Sequence, residues 1–141
     1  MTTKKYEIVL QYIQDLSVEV PNPETYVYSR EYITKYSLSI NINTKTLQNK
    51  MLEVITKLTY KDLKNNKRKS NFEVAFSTVI KLLENNIEKK ELEKIILCDL
   101  QNEIYPRNSK IFTNLIRETG FPELDFEKKI DFDDLYNKRK N

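Results

Sequence analysis

Few side chains in this sequence could do covalent or acid–base chemistry, and their spacing argues against it. There is no His, so the side chain best suited to proton transfer near neutral pH is missing. The one Cys, Cys98, stands beside Leu97 and Leu100 in an apolar helical stripe. A nucleophilic thiol needs an electropositive, accessible setting, so Cys98 reads as a core residue. Asp131, Asp133 and Asp134 crowd together without the spacing or the Gly of a calcium loop, and they read as helix-start or turn residues. Asp15 and Glu19 fall on one side of a predicted strand; they could pair as carboxylates in principle, but a plain solvated face is much the better reading. One Cys and no His leave little for a zinc or iron–sulfur site within one chain. A single Gly in 141 residues also counts against a phosphate-cradling loop. The expectation is a protein that binds rather than reacts, is not an enzyme and uses no cofactor.

The formal net charge is +3, unevenly placed. Lys61, Lys64, Lys67, Arg68 and Lys69 crowd one segment, and Lys138, Arg139 and Lys140 end the chain. A nucleic-acid-binding module would use both clusters as phosphate contacts. A solvated hairpin tip and a charged tail explain the same residues, so nucleic acid is the disfavoured partner.

The elements that must hold these residues follow from periodicity. A length of 141 residues with 39% apolar and 32% charged side chains suits one domain, residues 1–141, with one core. The lone Cys excludes an internal disulfide. No apolar run approaches the roughly 18 residues of a membrane span, and no signal core follows the charged start. A cytoplasmic protein without membrane insertion is expected. Residues 72–83 form the clearest strand: Phe72, Val74, Phe76, Thr78, Ile80 and Leu82 share one side. Residues 13–20, 35–43 and 47–60 alternate in the same way. Residues 5–12 suggest a short helical turn or a loose lead-in, and residues 26–32 are aromatic but of unclear type. Asn65 and Asn66 mark the tip of a polar loop over residues 62–70. Short connections favour an antiparallel meander of four strands.

After Asn85 and Asn86 the period changes. Ile87, Leu92, Ile95, Ile96, Leu100 and Ile104 make one helical stripe; Pro106 interrupts; Ile111, Phe112, Leu115 and Ile116 make a second. Gly120 stands where a helix C-cap wants it. Leu124, Phe126, Ile130, Phe132, Leu135 and Tyr136 then return apolar area to the body. The predicted architecture is α+β, a four-stranded antiparallel sheet with C-terminal helices packed to one side. The far sheet face carries Met51, Ile55 and Val79, and self-association would cover them.

Several motifs carry a resemblance. One is the run Tyr12-Ile13-Gln14-Asp15-Leu16-Ser17-Val18-Glu19-Val20-Pro21-Asn22-Pro23. Others are Phe72-Glu73-Val74, Cys98 followed by Tyr105-Pro106, Gly120-Phe121-Pro122-Glu123-Leu124, and Ile130-Asp131-Phe132-Asp133-Asp134-Leu135-Tyr136. Together they resemble SecB, the bacterial protein-export chaperone family, over nearly the whole chain. The resemblance implies a holdase that keeps unfolded secretory preproteins export-competent and passes them to a SecA-type ATPase. It implies a homotetramer built as a dimer of dimers. It implies a client-binding groove, with Tyr26, Tyr28, Tyr32, Tyr36, Phe112, Ile116, Phe121 and Leu124 as candidates. It places ATPase docking on Asp15, Glu19 and Glu73. A SecB-like chaperone controlling a toxin–antitoxin pair is the alternative within the same fold family.

Overall fold

The computed structural model describes residues 4–64, 70–122, 124 and 130–140. Four strands form one antiparallel sheet: β1 (Tyr6–Glu19), β2 (Ser37–Thr46), β3 (Met51–Lys61) and β4 (Asn71–Leu82). The spatial order is β1-β4-β3-β2. The last three strands are the expected meander, but β1 does not lie beside β2. It crosses to the far edge and pairs with β4, a Greek-key arrangement traced from the chain's end. The crossing segment is α1 (Pro23–Tyr32), followed by a short 3₁₀ turn (Ile33–Lys35). Asn22 caps α1, its side chain accepting from Thr25 N at 2.8 Å, and Pro23 stands in the first turn, where its missing N–H costs nothing. The stretch of unclear type is therefore helix.

Residues 5–12 are not a helical lead-in. β1 is one 14-residue strand, bulged between Ile8 and Leu10 and again between Ile13 and Asp15. The bulges break strict alternation, which hid this strand in the sequence. Residues 47–50, expected as strand, form the β2–β3 hairpin turn, with Asn49 at φ 61° and Lys50 at φ 63°. Asn tolerates that left-handed backbone; Lys does so with strain. The loop tip at Asn65 and Asn66, with Lys67, Arg68 and Lys69, lies outside the described residues, as do Glu123 and Phe126.

The helical side is continuous where two stripes were expected. α2 (Lys89–Lys94) runs into a π-turn over Ile95–Asp99 and then α3 (Leu100–Glu118), which passes straight through Pro106. The π-turn adds one residue to the turn and re-phases the apolar stripe, so Ile95 and Ile96 within it and Leu100 and Ile104 after it join one buried cluster with Leu52, Val54 and Ile80 of the sheet. α3 ends at Thr119, and Gly120 follows at φ 128° in the C-cap role. α4 (Phe132–Lys140) starts on Asp131, whose carboxylate accepts from Asp134 N at 2.9 Å, as a helix-start reading of this acidic cluster requires.

The helices cover the sheet face formed by alternate residues of β3 and β4. Val54, Leu58, Tyr60, Phe72, Val74 and Ile80 are all buried there. Two apolar clusters meet end to end. One gathers Tyr36, Leu58, Phe72, Phe112 and Ile116; the other gathers Tyr6, Val54, Ile80, Leu100 and Ile104. Between them Gln101 Nε2 donates to Thr56 Oγ1 at 3.1 Å, so this fully buried amide has a partner. A second buried polar knot ties α1 to the sheet: Ser29 Oγ to Ser70 Oγ at 2.6 Å, with the Tyr36 hydroxyl 3.0 and 2.8 Å from them.

Candidate functional site

Three surfaces carry the residues that sequence reasoning selected, or should have. The first lies on α1. Pro23, Glu24, Val27, Tyr28, Glu31 and Tyr32 line an open groove of about 540 Å³. The spacing of 23, 27 and 31, and of 24, 28 and 32, is that of one helical face. Tyr28 and Tyr32 pack at 4.6 Å between ring centroids, and the Tyr28 hydroxyl donates to Asp62 at 2.8 Å. Val27 is 69% exposed. The groove is thus an aromatic floor rimmed by acids, suited to apolar and cationic side chains.

Only part of the predicted client groove lies here. Tyr28 and Tyr32 line it, and Tyr26 sits half-buried nearby, stacked on Phe121 at 5.2 Å with its hydroxyl on Gly120 O. Tyr36, Phe112, Ile116, Phe121 and Leu124 are interior, each no more than 3% exposed. They belong to the cluster that holds α3 and the following segment on the sheet. As single-chain groove residues these five are corrected: a stripe that closes a core also reads, in sequence, as a stripe that could line a cleft. Pro23, Glu24, Val27 and Glu31 were missed, because an exposed Val between acids carries no signal until α1 is known to be a helix.

The second surface is the sheet face turned away from the helices. Ser17 pairs with Glu73, Asp15 with Ala75 and Glu19 with Asn71. Directly paired residues share a face, so Asp15, Glu19 and Glu73 form one acidic group, with Glu73 diagonal to both others. Lys57 on β3 reaches Glu73 Oε1 at 3.2 Å, and the Thr59 hydroxyl donates to the same oxygen at 3.2 Å. Further along, Glu53 accepts from Ser77 at 2.7 Å and Tyr12 at 2.9 Å, and these hydroxyls hold its carboxyl below the usual range. Of the far-face residues expected to need cover, Val79 is already buried between neighbouring strands, and Met51 and Ile55 are half-buried.

The third surface is β1 itself. Val9, Leu10, Tyr12, Ile13, Leu16 and Val18 are all 36–48% exposed. This edge strand, not the centre of the far face, is where uncovered apolar area concentrates. Cys98 is buried, and desolvation together with its hydrogen bond to Asp133 pushes its thiol up to about 12. Among the described residues there is no cluster of three His, Cys, Asp or Glu fit to hold a metal, and no helix is long and apolar enough to cross a membrane.

Comparison with known proteins adds a family. The model of the family described as "Preprotein translocase subunit SecB" matches residues 1–141. A relative from Pelagibacter ubique (strain HTCC1062), named for protein export as SecB, is 44% identical over 139 residues, 99% of each chain. The protein-export protein SecB of Bradyrhizobium diazoefficiens is 26% identical over 92% of this chain and 78% of its own. Among solved structures, the SecB-like chaperone Rv1957 of Mycobacterium tuberculosis, in complex with a ChAD peptide from the HigA1 antitoxin, superposes with a TM-score of 0.65. That match covers 89% of this chain and 91% of the other at 13% identity, a likeness of fold.

Proposed function

The chain belongs to the SecB family of preprotein translocase subunits, and from that premise we propose that it is a holdase that grips extended, unfolded polypeptide segments without nucleotide. The family is one of non-catalytic chaperones. The observation that carries the proposal is the α1 groove, an open aromatic floor with Val27 at 69% exposure and Glu24 and Glu31 at its rim. An extended segment rich in aromatic and basic residues matches it in shape and charge.

Two client classes follow. In the first, clients are secretory preproteins and the holdase passes them to a SecA-type ATPase; the 44% identical relative bears an export name. The acidic group of Asp15, Glu19 and Glu73 then meets a basic segment of the ATPase. In the second, the client is a peptide segment of an antitoxin; the solved chaperone of like fold is in complex with an antitoxin peptide. Self-association into a dimer of dimers belongs to both, acting in the cytoplasm.

Aggregation suppression of an unfolded client, run beside a nucleic-acid gel shift, tests the holdase. Val27→Glu and Tyr32→Glu should abolish suppression while circular dichroism stays native. Suppression that survives both variants rejects the groove, and a salt-sensitive gel shift without any suppression rejects the holdase. Titrating a signal-bearing preprotein against an antitoxin-derived peptide separates the client classes.

A further inference from the structure

The groove helix α1 is held on the molecule by hydroxyl groups, not by an apolar stripe. The residues it buries are Thr25 and Ser29, both polar. Among the described residues, neither apolar cluster contains a side chain of Pro23–Tyr32. Ser29 Oγ donates to Ser70 Oγ, just ahead of β4, at 2.6 Å, and the Tyr36 hydroxyl closes a ring with both, at 3.0 and 2.8 Å. All three residues are no more than 2% exposed. The Tyr28 hydroxyl donates to Asp62, whose other carboxylate oxygen accepts from Lys64 N at 2.9 Å. The Tyr26 hydroxyl donates to Gly120 O at 2.5 Å, and its ring stacks on Phe121. Firm apolar anchoring resumes only past the helix, at Ile33, which is 4% exposed and whose carbonyl accepts from the Tyr60 hydroxyl. Hydrogen bonds fix distance and angle, but water replaces them at little net cost. An element held in this way opens locally, well before the sheet unfolds.

Resting on the holdase reading above, we propose that Ser29 and Ser70 are positioning residues for the client groove: their hydroxyl ring latches α1, and the groove grips client only while α1 is latched. Two observations carry this. All six described lining residues of the groove belong to α1 itself, a helix of 10 residues. A helix that short is marginal alone in water, so release from the latch melts it and scatters the lining. The groove also lies on the outer side of the helix. Thr25 and Ser29, one turn apart, face the sheet, and Val27 stands on the opposite side at 69% exposure. Client therefore reaches its site without lifting α1, as it would have to if α1 were a lid. Removing either serine hydroxyl leaves the other two members of the ring one partner short in a dry place, which costs more than an exposed bond would.

Amide hydrogen exchange on the full chain, with and without a reduced, carboxymethylated protein as unfolded client, tests this. Circular dichroism confirms the fold of each variant. Ser29→Ala and Ser70→Ala should each speed exchange of the α1 amides about tenfold, with β3, β4 and α3 as slow as in wild type. Helix propensity predicts the reverse for Ser29→Ala, since Ala is the better helix former. Saturating client should slow α1 exchange in the wild type, because it binds only the latched state. Ser29→Ala combined with Tyr26→Phe should bind that client about tenfold more weakly. Client that speeds α1 exchange, or latch variants that bind more tightly, would make α1 a lid and overturn the proposal. Wild-type α1 amides that exchange only in step with the strands overturn it too. Latch variants that exchange faster yet bind client as the wild type does overturn the positioning role alone and leave the holdase standing. A wild-type chain that binds no client overturns both, and separate α1 exchange in that chain marks the failure as the holdase's.

Discussion

Cys98 shows how little of this protein's chemistry lies in reactive groups. Its thiol is buried, donates to Asp133 and is held up to about 12, so below that pH it is neutral and a poor nucleophile. Iodoacetamide at pH 8 should label the native chain orders of magnitude more slowly than the urea-unfolded chain; equal rates would show the thiol accessible. The raised value also sets a sign. Folded chains keep this proton to higher pH than unfolded ones, so Cys98 contributes stability fully present below the unfolded thiol's pKa and lost as pH climbs toward about 12. Glu53 works in the opposite sense. The Ser77 and Tyr12 hydroxyls depress its pKa, so its contribution is present above the ordinary carboxylate range and is lost as pH falls through the depressed value. Urea midpoints of wild type and Glu53→Gln should therefore differ at pH 7 and converge on acidification. A gap that stays constant down to pH 3 would mean the carboxylate is not what stabilises this spot.

At the scale of elements, Pro106 is the residue to test. It lies inside α3, lacks the N–H its turn would use, and is exposed. Its ring also crowds the carbonyl of Asn102 one turn back. The helix persists because Ile104, Phe112 and Ile116 hold both of its ends on the sheet. Pro106→Ala should raise stability by about 1–3 kcal/mol and raise the melting temperature; a fall would show that the ring does packing work. Gly120→Ala should do the reverse. An added Cβ would meet only the Tyr26 ring, at 3.7 Å, but φ 128° is a backbone that L side chains rarely adopt. The loss should exceed about 1 kcal/mol, visible as a lower urea midpoint with an unchanged slope.

For the whole molecule, the two faces of the sheet divide the labour. One face is closed by the helices; the other presents Asp15, Glu19 and Glu73 in adjacent register. Opposite charge steers an encounter and makes it salt-dependent. Reversing Asp15 or Glu19 to Lys should weaken binding of a SecA-type ATPase or its basic tail by about tenfold at low salt and less at high salt, with client holding unchanged. Reversing Glu73 should do less, because Lys57 already neutralises part of its charge. Calorimetry at two salt concentrations reads this directly, and equal affinities across the three variants would remove the acidic group as the docking surface.

The sequence by itself determined which residues share a face. Alternation in β2, β3 and β4 placed Leu58, Val74 and Ile80 inward and Glu73 outward, because a strand's period of two is a local property. The C-cap at Gly120 and the helix start at Asp131 were equally local, one set by a left-handed backbone and the other by a short acceptor side chain. The α+β class followed from where the period changed. Tertiary structure alone decided what lies beside what. Alternation names a face but no neighbour, so the pairing of β1 with β4 came from long-range packing, and the bulges in β1 blurred even its local signal. Helix continuity through Pro106 was decided by the burial of two stripes at once, which no window of residues around the proline contains. The same limit separates groove from core. Phe112 and Tyr32 are both aromatic residues in apolar stretches, and only the position of the sheet made one interior and left the other facing solvent.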